Sequence, residues 1–396
     1  MIEKKYFPIV FIFFSCTGFI IAPTPTWAII FYALLLPMTL FMMSNKKSLY
    51  ELLNNKSFVT ASSMIIWFAL TMAWGINQDT DNIAKYAHRS LANLVFIFTA
   101  VFFFSNSNQK WVERLLRILP FFVILNIFIS IFVFYFFQNH PIEARLNGWA
   151  ETRHPILGSL VIASGFCISF YQARIETDAL KKAFYIATCI ACCAFVVLTQ
   201  SRGPILTFLS ISIVYGWLSG KTVRWTLLVL AAVPVIAFLT NDAIQSHVLS
   251  SVSRSSWRLE IWQDAWKYIQ NAPILGNGLA TQNVFGSIEQ KFPHSLYVSS
   301  AFYGGFIGLA LLLLLFAQLA WTALKIDDKN KKALYLSLLC VPCVGGLTDM
   351  AQIAKSPGEL WYILWIPATA IIGYSIHQAR QMHIGGSKQP DHPAEN

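Results

Sequence analysis

With 396 residues, 56% of them hydrophobic and 12% charged, and a mean hydropathy of +0.55, this chain is not an ordinary soluble protein. Soluble domains carry about 25% charged residues. The formal net charge of +10 comes from basic residues scattered through short connections. They form no stripe, which argues against a nucleic-acid surface and fits the orientation bias of a membrane protein.

Taken in order, apolar runs of about 17–25 residues, long enough to span a bilayer, lie near 7–22, 27–43, 58–76, 89–104, 116–137, 155–173, 182–199, 203–219, 223–240, 296–323, 332–350 and 359–377. The expected fold is all-α and polytopic, with about twelve spans. Residues 1–240 would hold spans one to nine, 241–295 a large loop bearing helices, and 296–377 spans ten to twelve. Residues 378–396 would be a disordered cytoplasmic tail. MIEKKYFPIV carries its charge before an apolar run and has no small-residue cleavage site, so it reads as an uncleaved first span. With the N-terminus cytoplasmic, 19 of the 29 basic residues fall on the cytoplasmic side. That bias predicts both termini inside and the 241–295 loop outside. The seven cysteines lie within apolar runs, so the Cys189/Cys192 and Cys340/Cys343 pairs read as packing residues rather than metal or redox centres. No internal repeat relates the two halves, which argues against a two-fold transporter.

The loop is the only long polar segment, and irregular backbone must lie outside lipid or line a watery cavity. A helix is expected over 254–269. Trp257, Ile261, Ala265 and Ile269 recur every fourth residue, and Trp262 and Trp266 widen the stripe. Asn271-Ala272-Pro273 ends it, and Gly276 and Gly278 supply a turn. Three tryptophans on one short helix suit a membrane interface.

The outward-facing cations form the informative set, because they run against the charge bias: Lys85, Arg89, Arg145, Arg153, Arg202, Arg254, Arg258, Lys267, Lys291 and Lys355. Arg202, in TQSRGPIL, sits at a helix start beside free backbone N–H groups, a natural anion site. His294, in KFPHSLYV, directly precedes a span, and imidazole can accept a proton near physiological pH. His88 and His154 stand at other span edges, and Glu143, Glu151 and Asp349 are the external carboxylates. Asp79 and Asp81 read as a solvated turn. Neither a metal-ligand cluster, a phosphate loop nor a nucleophile elbow is present in the sequence.

SRG at a short external turn, Arg258-x3-Trp262, AxPILGNGL and HSLYVSSAFYGGFIG together resemble the O-antigen ligase family and its related polymerases, across about residues 201–315. Ser295 departs from the asparagine common in the wider group. The resemblance implies a GT-C-like glycosyltransferase of the bacterial inner membrane that works without metal or other cofactor on the periplasmic face. Its donor would be an undecaprenyl-diphosphate-linked O-antigen, its acceptor a sugar hydroxyl of lipid A–core, and membrane lipids its surroundings. Arg202 and Arg258 match the family's essential arginines and His294 its essential histidine. Asp349 is a weaker match, and Arg254, Arg145, Arg153, Lys355 and Trp262 complete the candidate site. Two guanidiniums would hold the diphosphate, and His294 would act as general base in an inverting displacement. A polymerase or protein O-glycosylating relative is the nearest alternative, and a flippase for lipid-linked sugars the next.

Overall fold

The computed structural model describes residues 2–386 except 44–45, 77, 106–107, 219, 221–256, 288, 352 and 356. Every extended element among them is helical: α1 (Ile2–Thr17), α2 (Thr24–Met43), α3 (Lys46–Leu53), α4 (Lys56–Leu70), α5 (Thr80–Phe104), α6 (Lys110–Phe137), α7 (Pro155–Ile175), α8 (Ala179–Leu198), α9 (Arg202–Leu218), α10 (Arg258–Asn271), α11 (Leu296–Leu324), α12 (Lys329–Thr348) and α13 (Ile366–Gly386). Seven of the described helices are long and apolar enough to cross a membrane, so the protein is a polytopic membrane protein. The expected span at 223–240 lies outside the described residues. The final helix runs on to Gly386, past the expected end at 377.

The centre of the bundle is α7. Of its most apolar stretch, 83% is buried inside the protein, against 22% for peripheral α2. Around it pack α8, α12 and α6, with α9 lying along α12 and α11 between α4 and α12. Where α5 meets the N-terminal helices, Trp361 stacks on Phe96 with ring centres 3.8 Å apart, flanked by Phe14, Trp27 and Phe31. Its indole N–H reaches Asn93 Oδ1, so this aromatic cluster leaves that donor satisfied. Outward, Phe128, Phe132 and Phe136 recur every fourth residue and form a stripe on α6 that suits lipid.

Helix α5 starts earlier than the hydropathy pattern suggests. Asp79 does not sit in a loose turn: its carboxylate accepts the Asn82 N–H as an N-cap. The charged first turns escape a hydropathy count, yet they place Lys85 and Arg89 four residues apart on one helix face.

The Pro…Gly-x-Gly stretch and the Gly-bearing span turn out to be one device. Helix α11 breaks at Gly305, whose φ is +66°. The 273–278 segment fills the break: Phe306 N–H donates to Pro273 O, Asn277 N–H to Phe302 O, and Gly278 N–H to Tyr303 O. Trp67 and Trp74 seal it from α4 and the short turn that follows, donating to Gly304 O and Gly276 O. A Cβ on Gly305 would collide with the Ile274 carbonyl, and one on Gly276 with the Gly305 amide. Both backbone and space therefore require glycine. Gly305→Ala is expected to lower stability by about 3 kcal/mol or more, read as a fall in thermal midpoint and in monodisperse yield. A midpoint unchanged from wild type would contradict this packing.

Candidate active site

The break in α11 sets the height of the chain just before it. Ser295 caps α11, accepting from Val298 N–H, and donates to Gly346 O on α12. Tyr297 Oη donates to Cys343 O, and Gly346 lets the Leu296 side chain lie directly on the helix. These ties bring His294 to the C-terminal end of α12, where Asp349 is 3% exposed. His294 Nδ1 lies 3.3 Å from Asp349 Oδ1, and its Nε2 lies 3.1 Å from Gln290 Oε1. Burial alone would raise the Asp349 pKa, but the His294 hydrogen bond and charge, His154 and the Met350 N–H hold it below the usual carboxylate range. Both ring nitrogens thus face oxygens; an ionised Asp349 that accepts Nδ1–H would leave the Nε2 lone pair free only where the Gln290 amide turns its NH2 group toward it.

Gln290 is delivered by a tight turn bridged between Phe285 and Gln290. Helix α10 cradles that turn, with Glu260 accepting Ser287 N–H and Asp264 accepting Gly286 N–H. Trp262 Nε1 donates to Pro293 O at 2.9 Å, clamping the residue before His294. The helix forms over Arg258–Asn271, the expected start at 254–256 lying outside the described residues, and buries Ile261, Ala265 and Ile269 against α11. Trp257 and Trp266 stay about half exposed.

His294 and Asp349 open into a cavity of about 360 Å³ whose polar walls are Lys85, Arg89, His154, Lys355 and Glu359. Asn93 fastens two of these walls together by donating to both Arg89 O and Lys355 O. Lys355 forms an ion pair with Glu359. His154 caps α7 and accepts from Leu157 N–H. Desolvation lowers its pKa more than Asp349 and Glu359 raise it, favouring a neutral ring. The cavity thus combines a carboxylate-oriented imidazole with three cationic side chains.

Of the residues singled out in the sequence, His294, Asp349 and Lys355 come together here. Arg202 and Arg258 stand outside the lining. Arg202 opens α9, whose Gly203 abuts Thr348, the neighbour of Asp349. Arg258 lies one turn before Trp262 on α10. Arg145 has a supporting role: Nε donates to Thr199 O and Nη2 to Ser201 Oγ, fixing the turn that presents Arg202. Arg153 lines a neighbouring cavity. Arg254 lies outside the described residues.

Lys85, Arg89, His154, Gln290 and Glu359 were absent from the candidate set drawn from the sequence. The outward-cation argument flagged the first two, and the span-edge histidines the third. Gln290 and Glu359 carried no signal. Left-handed φ values fall at Asn139, Ala150, Gln200, Glu289, His294 (+50°) and Met350 (+76°) among the described non-glycine residues, and the last two line this cavity. Non-glycine residues in that region are strained, and such strain clusters where function holds it. If Asp349 orients His294, Asp349→Asn should cut activity by about 10²-fold or more, in kcat rather than in donor KM. Steady-state kinetics check this; a loss confined to KM would contradict it.

Residues 187–313 match the family model described as O-antigen ligase. An O-antigen ligase of Pseudomonas aeruginosa is 24% identical over 251 residues, an overlap covering 62% of this chain and 60% of that relative. The matched region contains Arg202, Arg258 and His294; Asp349, Lys85, Arg89 and Lys355 lie beyond its ends.

Proposed function

We propose that this chain, whose residues 187–313 match the O-antigen ligase family model, transfers a glycan from undecaprenyl diphosphate to a sugar hydroxyl of lipid A–core. The observation that carries this reading is the His294–Asp349 pair opening into a cavity lined by Lys85, Arg89 and Lys355. The acceptor hydroxyl takes the place of Gln290 at His294 Nε2 and gives up its proton there as its oxygen attacks the anomeric carbon. The bond from that carbon to the diphosphate breaks on the opposite face, inverting the centre, and the electron pair leaves with the diphosphate. Charge grows on that leaving group in the transition state. Lys85, Arg89 and Lys355, joined by Arg202 and Arg258 from outside the lining, supply the countercharge without a metal ion.

On this reading the site faces the periplasm, both termini are cytoplasmic, and about twelve spans form a GT-C-like bundle. The charge bias of the short connections supports that orientation. The test is purified protein with undecaprenyl-diphosphate-linked glycan, lipid A–core and excess EDTA, followed by gel analysis of lipopolysaccharide. The expected result is core of higher mass. Lengthened lipid-linked glycan with untouched core would instead assign a polymerase. Donor binding without transfer would replace the enzyme with a carrier.

A further inference from the structure

A second cavity, of about 380 Å³, lies beside the reaction cavity, its polar lining including Gln138, Asn147 and Arg153 and its aromatic lining Phe134 and Trp149. One short stretch of chain forms the wall between the two: Ala150 and Arg153 line the second cavity and His154 the first. We propose that this second cavity is a saccharide subsite, holding a sugar ring of one of the two substrates next to the His294 centre. The proposal rests on the transferase reading above.

The frame of the cavity is built and rigid. Trp149 N–H donates to Ser130 Oγ, and its indole Nε1 donates to Ile20 O at 2.8 Å. Asn126 donates to Phe19 O and Trp149 O and accepts from Thr152 Oγ1. Ala150 is held at a left-handed φ. The Trp149 N–H is therefore spent on the frame, and what its half-buried ring offers the cavity is apolar surface. The side chains of Gln138, Asn147 and Arg153 are different: all three are exposed, and none hydrogen-bonds another described residue. Two amides and a guanidinium with unused capacity, facing aromatic surface, match the chemistry of a pyranose. Its C–H faces are apolar, and its hydroxyls both donate and accept. A phosphate would find a single, exposed cation here. An acyl chain would find too much polar lining. The volume falls within the usual range for small-ligand sites, roughly 300–1,000 Å³.

The ring could belong to the acceptor core or to the donor glycan, and the experiment separates them. Gln138→Ala/Asn147→Ala and Arg153→Ala would be compared with wild type in transfer kinetics, varying each substrate in turn. Losing two sugar hydrogen bonds should raise one KM by about tenfold, with the other unchanged. A rise for lipid A–core assigns the acceptor, and a rise for the lipid-linked glycan the donor. In parallel, hydrogen–deuterium exchange over residues 130–153 would be followed with lipid-free core oligosaccharide and with the free repeat-unit oligosaccharide. Protection by one of them, lost in the double variant, supports the subsite even if no transfer occurs, in which case only the transferase reading fails. Active wild-type protein with neither KM shifted in the variants, and no protection by either oligosaccharide, would overturn the subsite and leave the transferase reading intact.

Discussion

His294→Ala should reduce glycan transfer by about 10³-fold or more while leaving donor binding measurable. A positioned general base contributes roughly 10²–10⁴-fold, and His294 is placed for that task by three separate elements. Asp349 faces Nδ1, the Ser295 cap fastens the chain to α12, and Trp262 holds the preceding carbonyl from α10. The cations around the cavity remain in the variant, so the diphosphate should still bind. Single-turnover rates with saturating donor, alongside a direct donor-binding titration, separate the two effects. Equal losses in binding and rate would make His294 a diphosphate ligand rather than a base.

The second large effect concerns stability. Glu151 is 3% exposed, and both its carboxyl oxygens are buried without a hydrogen-bond partner among the described residues. Burial pushes its pKa up to about 8, with Glu359 adding to the rise, against weaker opposing contributions from the Thr24 hydroxyl, which is near but makes no well-formed hydrogen bond, and from Lys355 and Arg153. The folded protein therefore holds a proton that the unfolded chain releases in the ordinary carboxylate range. Between that range and about pH 8 the folded state binds more protons, so stability falls as pH rises and levels off above it. The full effect is on the order of 5 kcal/mol, taking about 1.4 kcal/mol per pH unit. Glu151→Gln keeps the neutral shape and removes the titration. Thermal midpoints of the wild type in detergent should fall steadily from pH 5 to pH 8, and those of Glu151→Gln much less. Parallel curves would show that Glu151 ionises at little cost.

These effects differ in how far the sequence reveals them. His294 was legible because KFPHSLYV, just before a span, lies in the stretch that resembles the O-antigen ligase family; position alone set it no higher than His88 or His154. Asp349 and Lys355 were legible as external charges, but their meeting with His294 depends on how α11 packs on α12, which no spacing encodes. Lys85 and Arg89 enter the site because Asp79 caps α5 earlier than hydropathy suggests, so two residues taken for an approach to a span lie on a helix face. Arg202 and Arg258 were expected to converge on the histidine, and neither lines its cavity among the described residues. Glu151 was legible as an external carboxylate but its burial was not, since an acidic residue in a connection is exposed by default. The spans themselves were readable wherever lipid or core demands an unbroken apolar run. Helix ends were not, because caps and charged first turns carry no hydropathy.

The account's central claim is that His294 and Asp349 act as one unit at the reaction centre. The most direct test is a double-mutant cycle on the rate of transfer, comparing His294→Ala, Asp349→Asn and the double variant. If Asp349 works through the imidazole, adding Asp349→Asn to His294→Ala should cost less than about twofold, because the unit is already lost. Losses that multiply, with the double variant slower by the product of the two single effects, would mean that the residues act independently and would contradict the account.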